Sequence, residues 1–128
     1  MVVVDSSVWI EFFRGRNEPL VSHLSRLLDE DRVLMAVPVR LEILAGAARA
    51  EIPRLRRLLS ALPLLVPDST LWSKLEAWVE QGRRMGERFG AFDLLIAGIA
   101  AAHGAPLWSQ DHDFERMAHL GWVKLHRT

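Results

Sequence analysis

Val2-Val3-Val4 is an apolar run with no polar alternation, and it passes directly into Asp5-Ser6-Ser7 and a helical pattern of Val8, Trp9, Phe12 and Phe13 that Gly15 ends. A strand with no polar face must be covered on both sides, which is the condition of a central strand in a parallel sheet. Asp5, Ser6 and Ser7 bear the short oxygen-carrying side chains that open helices. The same succession recurs along the chain.

The spacing of Leu20, Leu24, Leu27 and Leu28 predicts a helix over 19–31, and a strand is expected at 33–37. Pro38 suits the first turn of a helix running through Ala48, and 52–62 gives another with Arg54, Arg56 and Arg57 on its polar side. A third strand at 64–66 precedes a long helix capped by Asp68 or Ser69 that fades over 82–86, and 86–90 reads as a loop. Residues 91–103 are apolar nearly all round, the pattern of a buried helix, and Gly104 stops it. A fourth strand at 107–109, a short helix at 111–119 and a last strand at 122–125 complete the reading. Strands alternating with helices specify an α/β fold of three layers, α/β/α, around a mainly parallel central sheet. No repeat or linker interrupts it, so residues 1–128 are expected to form one domain.

Composition removes several function classes. With no Cys, zinc-thiolate sites, thiol nucleophiles and disulfide frameworks are excluded. Lys and Arg together number 16, as do Asp and Glu, so any nucleic-acid surface must be a local basic patch. The N-terminus lacks the basic start and long apolar stretch of a signal peptide, and the run 94–102 is far short of the roughly 20 residues that span a bilayer. No membrane segment is expected, and the cytoplasm is the expected location.

Four acids stand out because their surroundings are apolar. Asp5 and Asp111 follow predicted strands, at the sheet edge where α/β folds bind ligands. Glu42 shares a helix face with Val39, Ile43 and Gly46, and Asp93 stands in the first turn of the apolar helix, beside Ala97 and Ala100. Each has an ordinary reading: Asp5 and Asp111 as helix caps, Asp93 as a helix-start acid, Glu42 as the partner of an arginine near Arg40. Together, four carboxylates at one edge would cost several kcal/mol each unless protonated or neutralised by cations. All-oxygen ligands favour Mg²⁺ or Mn²⁺, and such ions serve the hydrolysis of phosphate esters.

The segments Val3-Val4-Asp5-Ser6-Ser7-Val8-Trp9-Ile10, Leu41-Glu42-Ile43-Leu44-Ala45-Gly46, Asp93-Leu94-Leu95-Ile96-Ala97 and Ser109-Gln110-Asp111-His112-Asp113-Phe114 resemble the ordered motifs of PIN-domain ribonucleases, and more narrowly those of VapC-type toxins. The resemblance implies a PIN-like fold and a metal-dependent endoribonuclease, the toxin of a type II toxin–antitoxin pair. In it Asp5, Glu42, Asp93 and Asp111 hold Mg²⁺ or Mn²⁺ and one carboxylate helps to activate water. Ser7 and Ser109 would orient carboxylates or water, and Asp113 would ligate the metal, support its ligands or begin the last helix. The family also implies a homodimer and a cognate VapB-type antitoxin whose tail lies across the active-site groove. Phe92 and Ser109 depart from the usual pattern without removing a carboxylate.

For an RNA substrate the candidate phosphate contacts are Arg14 and Arg16 after the first helix and Arg83, Arg84 and Arg88 before Asp93. Two other readings compete. One is a phosphotransfer enzyme with Asp5 as nucleophile, which needs a lysine at the phosphoryl group, and the chain has only Lys74 and Lys124. The other is a PIN-fold binding module that cuts nothing, whose mark would be the loss of an acid. Trp9 and Trp78 are expected in helix packing, while Trp72 and Trp122 stay open. His103, His112, His119 and His126 show no metal-ligand spacing beside the acids, so surface or packing roles are expected.

Overall fold

The valines of 2–4 do form the interior strand. In the computed structural model, which describes residues 1–128, β1 (Val2–Val4) lies in parallel between β2 (Val33–Ala36) and β4 (Leu107–Trp108), and β2 pairs in parallel with β3 (Leu64–Leu65). The order is β3-β2-β1-β4. Every residue of β1 and β2 is buried, as strands without a polar face require.

The chain runs from β1 to β2 through α1 (Ser6–Arg14) and α2 (Glu18–Asp29), and from β2 to β3 through α3 (Val37–Ala45), a 3-10 turn at Arg49–Glu51 and α4 (Ile52–Ser60). It then crosses back past β1 through α5 (Ser69–Arg84) and α6 (Ala91–Ala102) to β4, and α7 (His112–His119) follows. Right-handed crossovers put the first two connections on one face of the sheet and the third on the other, which gives three layers. The direction of winding reverses between β1 and β4. The carboxyl ends of those two strands therefore open the crevice in which α/β sheets bind ligands.

Local chemistry explains the helix ends. Gly15, at φ +69°, closes α1 with its N–H on the carbonyls of Glu11 and Phe12. Asn17 caps α2 through a 3.2 Å bond from the Leu20 N–H, and Asp68 caps α5 through a 3.0 Å bond from Leu71 N–H. Between α5 and α6 the approach is close: a Cβ on Gly98 would lie 2.7 Å from Leu75 Cδ2 and 3.1 Å from Leu71 Cδ1. Only glycine fits that contact without repacking. The core joins both faces of the sheet, with Leu24, Leu27, Leu59, Ile96, Ile99 and Phe114 among its buried side chains.

Trp9 and Trp78 are buried as expected, Trp122 stacks on Trp78 with ring centres 4.9 Å apart, and Trp72 is 51% exposed. The expected strand at 122–125 does not form. Trp122 and Val123 turn inward to pack, and only Leu125 reaches ladder register, bridging Leu107 through the bonds Leu107 N–H to Lys124 O and His126 N–H to Leu107 O. The third helix stops at Ala45 instead of Ala48, because Gly46 has little to gain from continuing and the chain restarts as the 3-10 turn. Val37 joins α3 because Pro38 favours that helix's first turn. No helix is long and apolar enough to cross a membrane.

Candidate functional site

Asp5 follows β1 and is only 4% exposed, yet its side chain does not cap α1. One of its oxygens, Oδ2, accepts from Ser7 Oγ at 2.9 Å and from Ser109 Oγ at 2.7 Å. The two hydroxyls are held in turn by backbone N–H groups: Gln110 N–H donates to Ser7 Oγ at 3.1 Å and Asp111 N–H to Ser109 Oγ at 3.0 Å. Each serine thus gives its single proton to Asp5 and takes one from the loop after β4. The backbone joins at the same place, with Asp5 N–H on Trp108 O at 2.8 Å. Both strand ends of the crevice are locked around one carboxylate.

Glu42, on α3, pairs with no arginine; Arg40 reaches Ser60 instead. Its Oε1 accepts from Ser6 Oγ at 3.1 Å, a partner that the sequence reading did not single out. The preceding serine of the Ser6-Ser7 pair could have suggested it, since successive helix-start hydroxyls point to different neighbours. Burial pushes the Glu42 carboxyl upward, with the nearby Asp5 charge acting the same way and the Ser6 bond opposing.

Asp93 is the third residue of α6, half-buried, and Asp111 caps α7 by accepting from Asp113 N–H at 2.9 Å. Oxygens of Asp93, Asp111 and Asp113 lie within 4.8 Å of one another. The Asp93 carboxyl is pushed up to about 6, first by burial and then by the charges of Asp111, Asp5, Asp113 and Glu42. The oxygens gathered within 4.8 Å are thus those of Asp93, Asp111 and Asp113, with Asp111 exposed, while Asp5 and Glu42 act on Asp93 through their charge. None of Asp5, Glu42, Asp93 and Asp111 has a cation within ion-pair distance. Asp113 alone is paired, with Arg116 Nη2 at 2.8 Å. Arg116 also escaped the sequence reading, although its i,i+3 spacing from Asp113 on α7 was the available signal.

The expected arginines divide. Arg14, paired with Glu11, rims a groove of about 630 Å³ that also contains Glu42, Ile10, Phe13 and Arg54. Arg83 and Arg88 line a small pocket with Glu87, Phe89 and Leu94, beside the start of α6. Arg84 pairs with Glu80 on its own helix, and Arg16 is exposed without an ion pair, so nothing ties these two to the acids. Lys74 and Lys124 line a separate pocket that holds none of the acids, which leaves the cluster without the lysine of a phosphotransfer site.

Chemically, the cluster is an all-oxygen donor set in which only Asp113 has a paired cation, and serine hydroxyls hold two of its carboxylates, Asp5 and Glu42. That is the setting a hard divalent cation fits. Residues 2–120 match the PIN domain family. The chain is 34% identical over 125 residues to a VapC ribonuclease of Mycobacterium bovis, a match covering 94% of this chain and 93% of the relative. Among solved structures it is similar to VapBC-1 from nontypeable Haemophilus influenzae, with TM-score 0.79 at 21% identity over 98% of this chain and 97% of the other. It is also similar to VapBC2 from Rickettsia felis bound to a promoter DNA fragment, with TM-score 0.76 at 20% identity and 98% of each chain covered.

Proposed function

Because the chain belongs to the PIN-domain family, and within it to the VapC ribonucleases, we propose that it is a Mg²⁺- or Mn²⁺-dependent endoribonuclease, the toxin of a type II toxin–antitoxin pair. One observation carries the metal-dependent part: an Asp93 carboxyl raised to about 6 by burial and by four other acids, with no cation paired to any of the four principal acids. Charge left uncompensated in this way invites a divalent ion.

Asp5, Glu42, Asp93 and Asp111 would hold the ion, with Asp113 beside them. Bound there, it supplies charge neutralisation at the phosphodiester and makes water more acidic. The chain's own contribution is positional. Ser7 and Ser109 keep one Asp5 oxygen occupied, so the other is the oxygen with free acceptor capacity. Ser6 does the same for Glu42. A carboxylate not consumed in binding the ion can accept the proton of the attacking water. Arg14, which shares a groove with Glu42, and Arg83 and Arg88 beside α6 are the proposed phosphate contacts, which would be salt-sensitive and largely independent of sequence.

An antitoxin tail is the second expected occupant of the Glu42 groove, supported by Ile10 and Phe13, which are 43% and 44% exposed along it. A homodimer is supported by the apolar surface of Val37, Leu41, Leu44 and Ile52 on α3 and α4. A cytoplasmic location belongs to the same proposal and is supported by a chain that carries no Cys. Partner-free protein should cleave RNA with Mg²⁺ or Mn²⁺ and lose this on Asp5→Ala or Asp93→Ala; cleavage that survives chelation, with both variants folded, would falsify the metal mechanism.

A further inference from the structure

Arg116 makes three contacts with one planar group. Its Nη2 lies 2.8 Å from Asp113 Oδ1, its Nε donates to Glu87 Oε2 at 3.0 Å, and the guanidinium stands 5.3 Å from the centre of the Phe89 ring. Glu87 and Phe89 belong to the connection that leads from α5 to Gly90, the residue that opens α6 two positions before Phe92 and three before Asp93. That connection abuts the cluster directly, since a Cβ on Gly90 would lie 3.7 Å from Asp93 Oδ2. On its other side, Arg116 takes one oxygen of Asp113 and leaves the second, while an Asp113 oxygen lies within 4.8 Å of oxygens of Asp93 and Asp111. A single exposed ion pair contributes little to stability. A guanidinium clasped on two sides and stacked on a ring instead fixes geometry, and an ammonium cannot reproduce that fork.

We infer that Arg116 is a positioning residue for the divalent cation: it sets the separation of Asp111 and Asp113 from Asp93 by clamping α7 to the segment that enters α6. The inference rests on the metal-dependent reading of the site. Its sign is distinctive. A bystander cation next to a metal site repels the metal, so its removal tightens binding. A positioning cation does the reverse, and losing such a supporting contact typically weakens metal binding by about 10–100-fold.

The experiment is Mn²⁺ titration of the purified protein by calorimetry and by the Mn²⁺ electron paramagnetic resonance signal, for the parent, Arg116→Gln, Arg116→Lys and Glu87→Gln. About tenfold or greater weakening is expected for both Arg116 variants, and a smaller loss for Glu87→Gln, which releases only the connection. Tighter Mn²⁺ binding by Arg116→Gln, or parental affinity in Arg116→Lys, overturns the inference while leaving the metal reading standing. A parent that binds no Mn²⁺ overturns both. If Arg116→Gln does not fold, Arg116→Lys and Glu87→Gln decide the matter alone.

Discussion

Ser109 Oγ donates to Asp5 Oδ2 at 2.7 Å, joining side chains 104 residues apart at the ends of the two strands that flank the crevice. The same hydroxyl accepts the Asp111 N–H, so one small side chain orients two acids from different elements. Ser109→Ala should therefore lower Mn²⁺ affinity and RNA cleavage by about 10–100-fold, whereas Ser109→Thr, which keeps the hydroxyl, should stay close to the parent. Parallel metal titration and cleavage assays check this. An alanine variant with parental affinity would mean that Asp5 needs no such support.

The Asp93 carboxyl works against stability near neutral pH. Its folded value of about 6 exceeds the usual 3.8, so between those pH values the native state keeps a proton that the unfolded chain has released, and above them the carboxylate is charged where burial and its neighbours disfavour charge. The stabilising contribution is complete below 3.8 and is lost as pH rises through about 6. Glu42, also raised, acts in the same sense. In metal-free buffer at pH 7, Asp93→Asn should be at least as stable as the parent, by up to about 1–2 kcal/mol after solvent screening of a half-buried group. The gap should close as pH is lowered to 4. Urea denaturation across that range measures it, and a variant clearly weaker than the parent at pH 7 would make Asp93 a structural helix-start acid.

The C-terminal segment is held by a histidine pair. His23 Nε2 and His126 Nε2 are 2.8 Å apart, and Arg26 Nη2 lies 2.9 Å from His23 Nδ1. A guanidinium only donates, so the His23 proton sits on Nε2 and the His126 proton on Nδ1. Both imidazoles are held below their usual range, His23 by burial and then by Arg26 and Arg32, His126 by burial and then by His23, Arg32 and the N-terminal amine. Their contribution to stability is present above 6.5 and falls as pH drops below it, opposite in sign to that of Asp93. Nitrogen-15 spectra at pH 7.5 should show those two neutral tautomers, and acidification should speed exchange of the His126 amide. A charged His23 at pH 7.5 would contradict the arrangement.

Gly98 is a packing requirement. Gly98→Ala puts a methyl 2.7 Å from Leu75 Cδ2 and 3.1 Å from Leu71 Cδ1, so the leucine ends must shift; overpacking of this kind costs about 1–3 kcal/mol, offset by about 1 kcal/mol of helix propensity that Ala gains over Gly. A lowered melting temperature is the expected result, and an unchanged one would show that α5 can slide away freely.

Most of this architecture was legible because it rests on local patterns. Val2–Val4 had no polar face, Gly15 and Asp68 marked helix ends, and acids at strand ends pointed to the crevice before any contact was known. The errors have tertiary causes. Trp122 had strand-like neighbours, but a ring to stack on at Trp78 outweighed that propensity. The ordinary reading of Asp5 as a cap fell because Ser7 and Ser109 claim its oxygen, and Ser109 comes from a distant stretch of chain. Arg116 was unremarkable in sequence because its second partner, Glu87, lies 29 residues away.

We propose that Asp5, Glu42, Asp93 and Asp111 share a divalent cation. Anomalous diffraction from crystals soaked in Mn²⁺ tests it most directly. The expected result is an ion ligated by oxygens of these residues, lost in Asp93→Ala crystals. A parent crystal at saturating Mn²⁺ with no anomalous peak among these carboxylates would contradict it.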